Sequence, residues 1–219
     1  MSIKIDLHTH SVASPDGALT IDDYRRMLNS GRLDCIAITD HNTVEYAQRV
    51  RAELGERIIV GEEIKTTAGE IIGLYLKETI PKGMLPSQAI AAIREQGGLV
   101  CVPHPFETVR SGIAREALDE IADSVDMIEV HNGRAIFQNY SKQAYAWAAV
   151  HDVCGIASSD SHGASGWGRT YTVINDVPTR RTLLELLQDC QYATAFPGVR
   201  AVLYPKLNRL QKKIGQHHA

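Results

Sequence analysis

The chain has 219 residues, 44% of them hydrophobic, and a formal net charge of −3. That is enough apolar material for one buried core, so a single domain over residues 1–219 is expected. No apolar run approaches the ~18 residues that span a membrane, and the start leads into a strand rather than a basic stretch followed by an apolar one, so a cytoplasmic protein with no membrane association is expected.

The charge is unevenly spread. Cys190 to Ala219 holds five bases and no acid, which leaves 18 bases against 26 acids before it. Bound divalent cations would offset that acidity, and a binder relying on non-specific phosphate contacts would more often be basic overall. Cys35, Cys101, Cys154 and Cys190 form no C-x-x-C pair and read as reduced thiols rather than disulfides or ligands.

In chain order, Ile3 to His10 reads as a first strand, and Thr20-Ile21-Asp22-Asp23 caps a helix to about Gly31. A strand over 34–39 ends at Asp40-His41-Asn42, a helix runs to about Leu54, and a strand from Arg57 enters Gly61-Glu62-Glu63-Ile64. After the turn at Thr66 to Gly69, Glu70 to Leu76 is a returning strand, and Pro86-Ser87 opens a helix stopped by Gly97-Gly98. Leu99 to Val102 leads into Pro103-His104-Pro105. A helix over about 113–122, a strand over 126–130, a helix over about 135–150 and a strand over 154–158 follow. Ser159-Asp160-Ser161-His162 and a glycine-rich loop then precede a strand at 171–174 and a helix near 179–190.

This β-α alternation points to a parallel sheet covered by helices. In a strand, alternation sends His8 and His10 the same way, so together they can grip one ion. Two imidazoles rarely complete a metal site. Further donors do stand at or just past apolar runs: Asp16, Asp40-His41, Glu62-Glu63, His104, His131 and Asp160-Ser161-His162. A parallel barrel brings all strand C-terminal ends to one face, so an α/β barrel is favoured over an open sheet.

The stretches Asp6-Leu7-His8-Thr9-His10, Thr39-Asp40-His41-Asn42, Gly61-Glu62-Glu63-Ile64, Pro103-His104-Pro105, Ile128-Glu129-Val130 with Asn132, and Ser159-Asp160-Ser161-His162 jointly resemble the polymerase and histidinol phosphatase (PHP) family of metal-dependent phosphoesterases. The resemblance covers residues 3 to about 175. It implies a distorted (β/α)7 barrel holding two or three divalent ions, Mn, Zn or Fe, at the strand ends. Carried over, it places His8 and His10 on one ion, Asp16 with His41 on a second and Glu63 between ions, while Asp160 and His162 close the site. A third ion would use Glu63, His104 and Glu70; many members have His where this chain has Glu70, and His131 is the competing candidate. Glu62 is left as a structural carboxylate.

Such ions generate hydroxide from water and neutralise phosphate oxygens. The expected reaction is therefore in-line hydrolysis, by metal-bridging hydroxide, of a phosphoester: a small phosphorylated metabolite, a nucleotide or a short oligonucleotide. Arg134 and Arg169 are candidate phosphate clamps, with Arg110 a weaker one. Asp40 can orient His41, and Trp167 can stack on a base or cover the barrel mouth. An amidohydrolase, which can also begin with H-x-H, and a non-catalytic metal-stabilised module are the rival readings. At the basic end, Leu203, Leu207, Leu210 and Ile214 form a helical stripe expected to pack a helix of about 200–215 on the barrel. Partners beyond the substrate and oligomeric state are not specified by the sequence.

Overall fold

The computed structural model describes residues 2–136 and 138–216. Among the described residues nine strands form one sheet: β1 (Ile3–Asp6), β2 (Cys35–His41), β3 (Ile58–Thr66), β4 (Gly69–Leu74), β5 (Leu99–Val102), β6 (Met127–Asn132), β7 (Cys154–Ser158), β8 (Tyr171–Ile174) and β9 (Gln191–Ala193). Their spatial order is β7-β6-β5-β4-β3-β2-β1-β8-β9. The sheet curls until its first and seventh strands meet: beyond β1, Thr9 bridges Ser161 in parallel and the His10 N–H donates to the Ser161 carbonyl at 2.9 Å. The result is a distorted barrel of seven strands, with β8 and β9 continuing outward from β1.

The pairing is not all parallel, contrary to the reading from alternation. β4 runs antiparallel to both β3 and β5, and β8 antiparallel to β1. The cause is local: the turn joining β3 to β4 is too short for a crossover and can only make a hairpin. As a consequence β4 meets the rim with its N-terminal end, which is why Glu70 sits there although it begins a strand.

Helices α1 (Ile21–Asn29), α2 (Glu45–Leu54), α3 (Pro86–Glu95), α4 (Arg115–Glu120), α5 (Ser141–His151), α6 (Leu183–Gln188) and α7 (Val199–Gln216) cover the sheet. α1 starts as expected, with Thr20 and Asp23 in a reciprocal capping box. α5 starts later than expected, because the Asn132 side chain accepts the Arg134 N–H at 2.8 Å and holds the chain in a turn instead of a first helical turn.

Two apolar clusters flank the sheet. The outer one includes Val60, Ile64, Ile38 and Trp147 under the helices; the inner one holds Ile5, Ala37, Ile59, Ile72, Met127 and Ile156. Moving two residues at a time from these inner positions leads to the rim: Ala37 to His41, Ile59 to Glu63, Ile72 to Glu70, Met127 to Glu129 and Ile156 to Asp160. One side of each strand thus carries oil at the bottom of the barrel and donors at its mouth.

α7 differs from the expectation in which face it buries. Leu203, Leu207, Leu210 and Ile214 are 43–57% exposed, and the helix docks instead through Ala201, Tyr204, Pro205 and Asn208. The surface beneath it is glycine backbone and peptide carbonyls, which small and amide side chains satisfy and leucines do not. Among the described residues no helix is long and apolar enough to cross a membrane.

Candidate metal centre

His8, His10, Asp16, His41, Glu63, Glu70, His104, Asp160 and His162 all come together at the barrel mouth, and all but His41 are buried. Four overlapping groups have donor atoms within 4.8 Å of one another: His10-His41-His162, His8-His10-Glu63, His8-His104-Asp160 and His41-Glu63-Glu70. Glu63 is central. Its Oε1 lies 3.0 Å from His104 Nε2, and its Oε2 lies 3.0 Å from His41 Nδ1, 3.3 Å from His10 Nε2 and 3.6 Å from His8 Nε2. Burial alone would raise the Glu63 pKa, but His41, His8 and the hydrogen bonds from His104 and His41 hold it well below the usual carboxylate range.

The imidazoles are aimed by groups behind them. His8 Nδ1 is 2.8 Å from Glu129 Oε1, and Glu129 Oε2 also accepts the His104 N–H at 2.8 Å and an Asn132 amide hydrogen at 2.7 Å. Ser14 Oγ donates to Asp40 Oδ1 at 2.6 Å and so presents a lone pair to His10 Nδ1, 3.1 Å away. Both rings therefore carry their hydrogen on Nδ1 and turn an Nε2 lone pair inward. These two Nε2 atoms stand 3.0 Å apart, an arrangement that calls for a cation between or beside them. His162 follows suit, its Nδ1 donating to the Asp160 carbonyl at 2.9 Å. Burial, with His162 and His41 nearby, pushes His10 down to about 3, so its lone pair is free for an ion at neutral pH. At His8 burial is outweighed by Asp160, Glu129 and Glu63, which raise its pKa, so an ion there takes the place of a proton.

Two carboxylates repeat one design. Asp160 turns Oδ1 toward His10 Nε2 at 3.4 Å, while its Oδ2 accepts from Arg110 Nη1 at 2.5 Å and Arg134 Nη1 at 3.4 Å. Asp16 turns Oδ1 toward His41 Nε2 at 3.4 Å and His162 Nε2 at 3.5 Å. That Oδ1 is buried with no hydrogen-bond partner, and Oδ2 accepts from Arg209 at 2.5 Å. An orphaned buried carboxylate oxygen among imidazole lone pairs fits a divalent ion, and the mixed nitrogen and oxygen donors suit Zn, Mn or Fe. Glu70 stands 3.9 Å from His104 Nε2 and 4.0 Å from His41 Nδ1; burial and the charge of Glu63 raise its pKa. His104 and Asp160 take φ angles of 26° and 50°, a region L-residues seldom occupy and one where strain collects at functional sites.

Several expectations are corrected. Arg169 is not at the centre: it is exposed and donates to the Phe196 carbonyl at 2.9 Å, because the glycines on either side of Trp167 turn the chain outward. Arg110, weighed less, is in the ring. Trp167 is buried and donates to Asp6 Oδ2 at 3.0 Å, so it has no face left for a base. Asp40 aims His10 through Ser14 rather than aiming His41. His131 packs against Tyr145 and Tyr192, with Tyr145 Oη 3.2 Å from its Nε2, and joins none of the donor groups. Glu129, which the sequence places in the Ile128-Glu129-Val130 stretch without a role, proves to aim His8; its place two residues along the inner face from Met127 is the signal. Glu62 points to the outer apolar layer and accepts the Ile80 N–H at 2.8 Å, as a structural carboxylate would.

The PHP domain description matches residues 6–156 and the PHP-associated description residues 139–190; the chain belongs to the PHP-domain family. An uncharacterised protein of Methanocaldococcus jannaschii is 34% identical over 150 residues, 63% of this chain and 88% of that one. A two-domain protein of Bacteroides vulgatus containing a predicted PHP-like metal-dependent phosphoesterase superposes with a TM-score of 0.69 at 21% identity, over 95% of this chain and 70% of that one. An amidohydrolase of Chromobacterium violaceum with sulfate bound has a TM-score of 0.62 at 18% identity, over 90% and 99%. These likenesses to solved structures show the fold.

Proposed function

We propose that the chain hydrolyses a phosphoester of a small metabolite, a nucleotide or a short oligonucleotide, with two or three divalent ions held by His8, His10, Asp16, His41, Glu63, Glu70, His104, Asp160 and His162. The observation that carries this is the pairing of a converging donor ring with two guanidinium groups, Arg110 and Arg134, on the outer oxygen of Asp160. When bound, the ions supply an activated water and neutralise phosphate oxygens. The protein's own part is positional. Glu129 and Ser14 keep the His8 and His10 lone pairs inward. Arg134, 15% exposed and with its Nε unpartnered, offers N–H groups to phosphate oxygens at the edge of the ring, while Arg110, 13% exposed, spends four of its five N–H groups on Glu107, Asn132 and Asp160 and has one left to offer.

A groove of about 340 Å³ opens from these two arginines, walled by Val109, Ile136, Phe196, Val199 and Leu203. It gives the organic part of such a substrate an apolar seat while the phosphoryl group meets the arginines. Guanidinium groups at the ring favour an anionic substrate over the neutral amide an amidohydrolase would take. The test is hydrolysis of p-nitrophenyl phosphate, bis(p-nitrophenyl) phosphate and an acyl p-nitroanilide by Mn-supplemented protein. Release from a phosphoester, abolished by chelator, is the expected result; release from the anilide alone, or from none, would overturn the proposal.

A further inference from the structure

α7 lies beyond residue 190, where the family descriptions end, yet it reaches the centre from outside. Asn208 is buried, and its Nδ2 donates both hydrogens: to the Asp16 carbonyl at 2.7 Å and to the His162 carbonyl at 2.9 Å. These are the carbonyls of two candidate ligands that stand on different loops and bring their donor atoms within 3.5 Å of each other. The next residue, Arg209, holds Asp16 Oδ2, and Lys212 Nζ donates to the carbonyls of Val12 and Ser14 in the same loop. The loop after β7 is shaped to receive the helix: a Cβ on Gly163 would come within 2.6 Å of the Tyr204 ring, and one on Gly166 within 3.1 Å of the Ala201 Cβ.

From this geometry we infer that α7 is a strap that presets one ion position, with Asn208 as its positioning residue. An amide side chain has two N–H donors. With one spent on each loop, the Asp16–His162 spacing is fixed by a single rigid group. With Oδ2 occupied by Arg209, Asp16 has one oxygen, Oδ1, to give, so it binds an ion through that atom. Residues that orient ligands from behind commonly change metal affinity by ~10–100-fold. The inference rests on the reading of the ring as a metal centre.

The test is calorimetric titration of MnCl2 into chelator-stripped full-length protein, with wild type, Asn208→Ala and Asn208→Ser compared, and melting of the metal-free proteins recorded alongside. Asn208→Ala is expected to weaken one class of ion by ~10-fold or more and leave the others at wild-type affinity, with the metal-free melting temperature lowered only by the few degrees that two unpaired buried carbonyls cost. Asn208→Ser, which keeps one donor in the same space, is expected to fall between and carries the test should the alanine variant fail to fold. Wild-type affinity in a folded variant, or an equal weakening of every ion with a matching loss of metal-free stability, would overturn the strap. Absence of Mn binding in the wild type would instead defeat the metal reading of the ring, and the strap with it.

Discussion

The interior and the rim of this site are built from different materials. Inside, His8, His10, Glu63 and His104 are carried on or just past strands, buried, and aimed by Glu129, Ser14 and one another. At the rim, Arg110 and Arg134 come from loops and Arg209 from α7, and each grips the outer oxygen of a carboxylate whose inner oxygen faces the ring. Neutral and anionic donors surround the space where cations fit, and cations surround the opening where an anion would enter. The comparison teaches that the site is layered by depth: strand ends supply inward-facing nitrogen and oxygen donors, and loops and α7 supply the cationic groups at the opening.

Breaking the interior should cost most. Glu63→Gln removes the charge that four imidazoles face. Steady-state hydrolysis of the preferred phosphoester is expected to fall by ~10³-fold or more, with circular dichroism unchanged; activity within tenfold of wild type would show that Glu63 is not at the chemistry.

The neighbouring Glu62 sharpens the contrast from the other face of the same strand. Burial pushes its pKa from 4.5 up to about 7. A carboxyl raised on folding binds its proton more tightly in the native state, so wild type loses stability as pH rises through the window from 4.5 to 7. Glu62→Gln has no such proton. Urea unfolding of chelator-treated proteins should therefore show the variant gaining on wild type by about 2–3 kcal/mol between pH 4.5 and pH 8. A difference that does not change with pH would contradict the burial of that charge.

At the rim, Arg110→Ala and Arg134→Ala should each lower kcat/KM by ~10–30-fold while the metal content measured by elemental analysis stays at the wild-type value. Loss of metal instead would make these arginines part of the interior. Arg169→Ala should leave kcat/KM within about twofold, as for an exposed side chain away from the centre.

The interior was legible because period-two alternation carries the apolar inner face directly to the donors. Strand geometry alone paired His8 with His10 and allowed only one of Glu62 and Glu63 to face inward; the choice of Glu63 and the roles of His104 and Asp160 came with the resemblance. Even so, regular β1 stops at Asp6, whose carboxylate lies 3.4 Å from the His8 N–H, while Thr9 goes on to bridge Ser161. The rim was less legible. Arg110 and Arg169 differ only in which way a loop turns, and no periodicity records that. α7 was misread for a related reason: its apolar stripe is the strongest pattern in the segment, but the face that docks is chosen by the carbonyls and glycines it meets, nearly 200 residues away from Asp16 in the chain. The antiparallel β4 lay between these cases, since the short turn announced a hairpin and the alternation argued against it.

The most direct test of the central claim is elemental mass spectrometry of protein purified without chelator, counting Mn, Zn and Fe per chain. Two or three ions per chain are predicted. One ion or none, with no further uptake when Mn is supplied, would contradict the reading of the donor ring as a multinuclear metal centre.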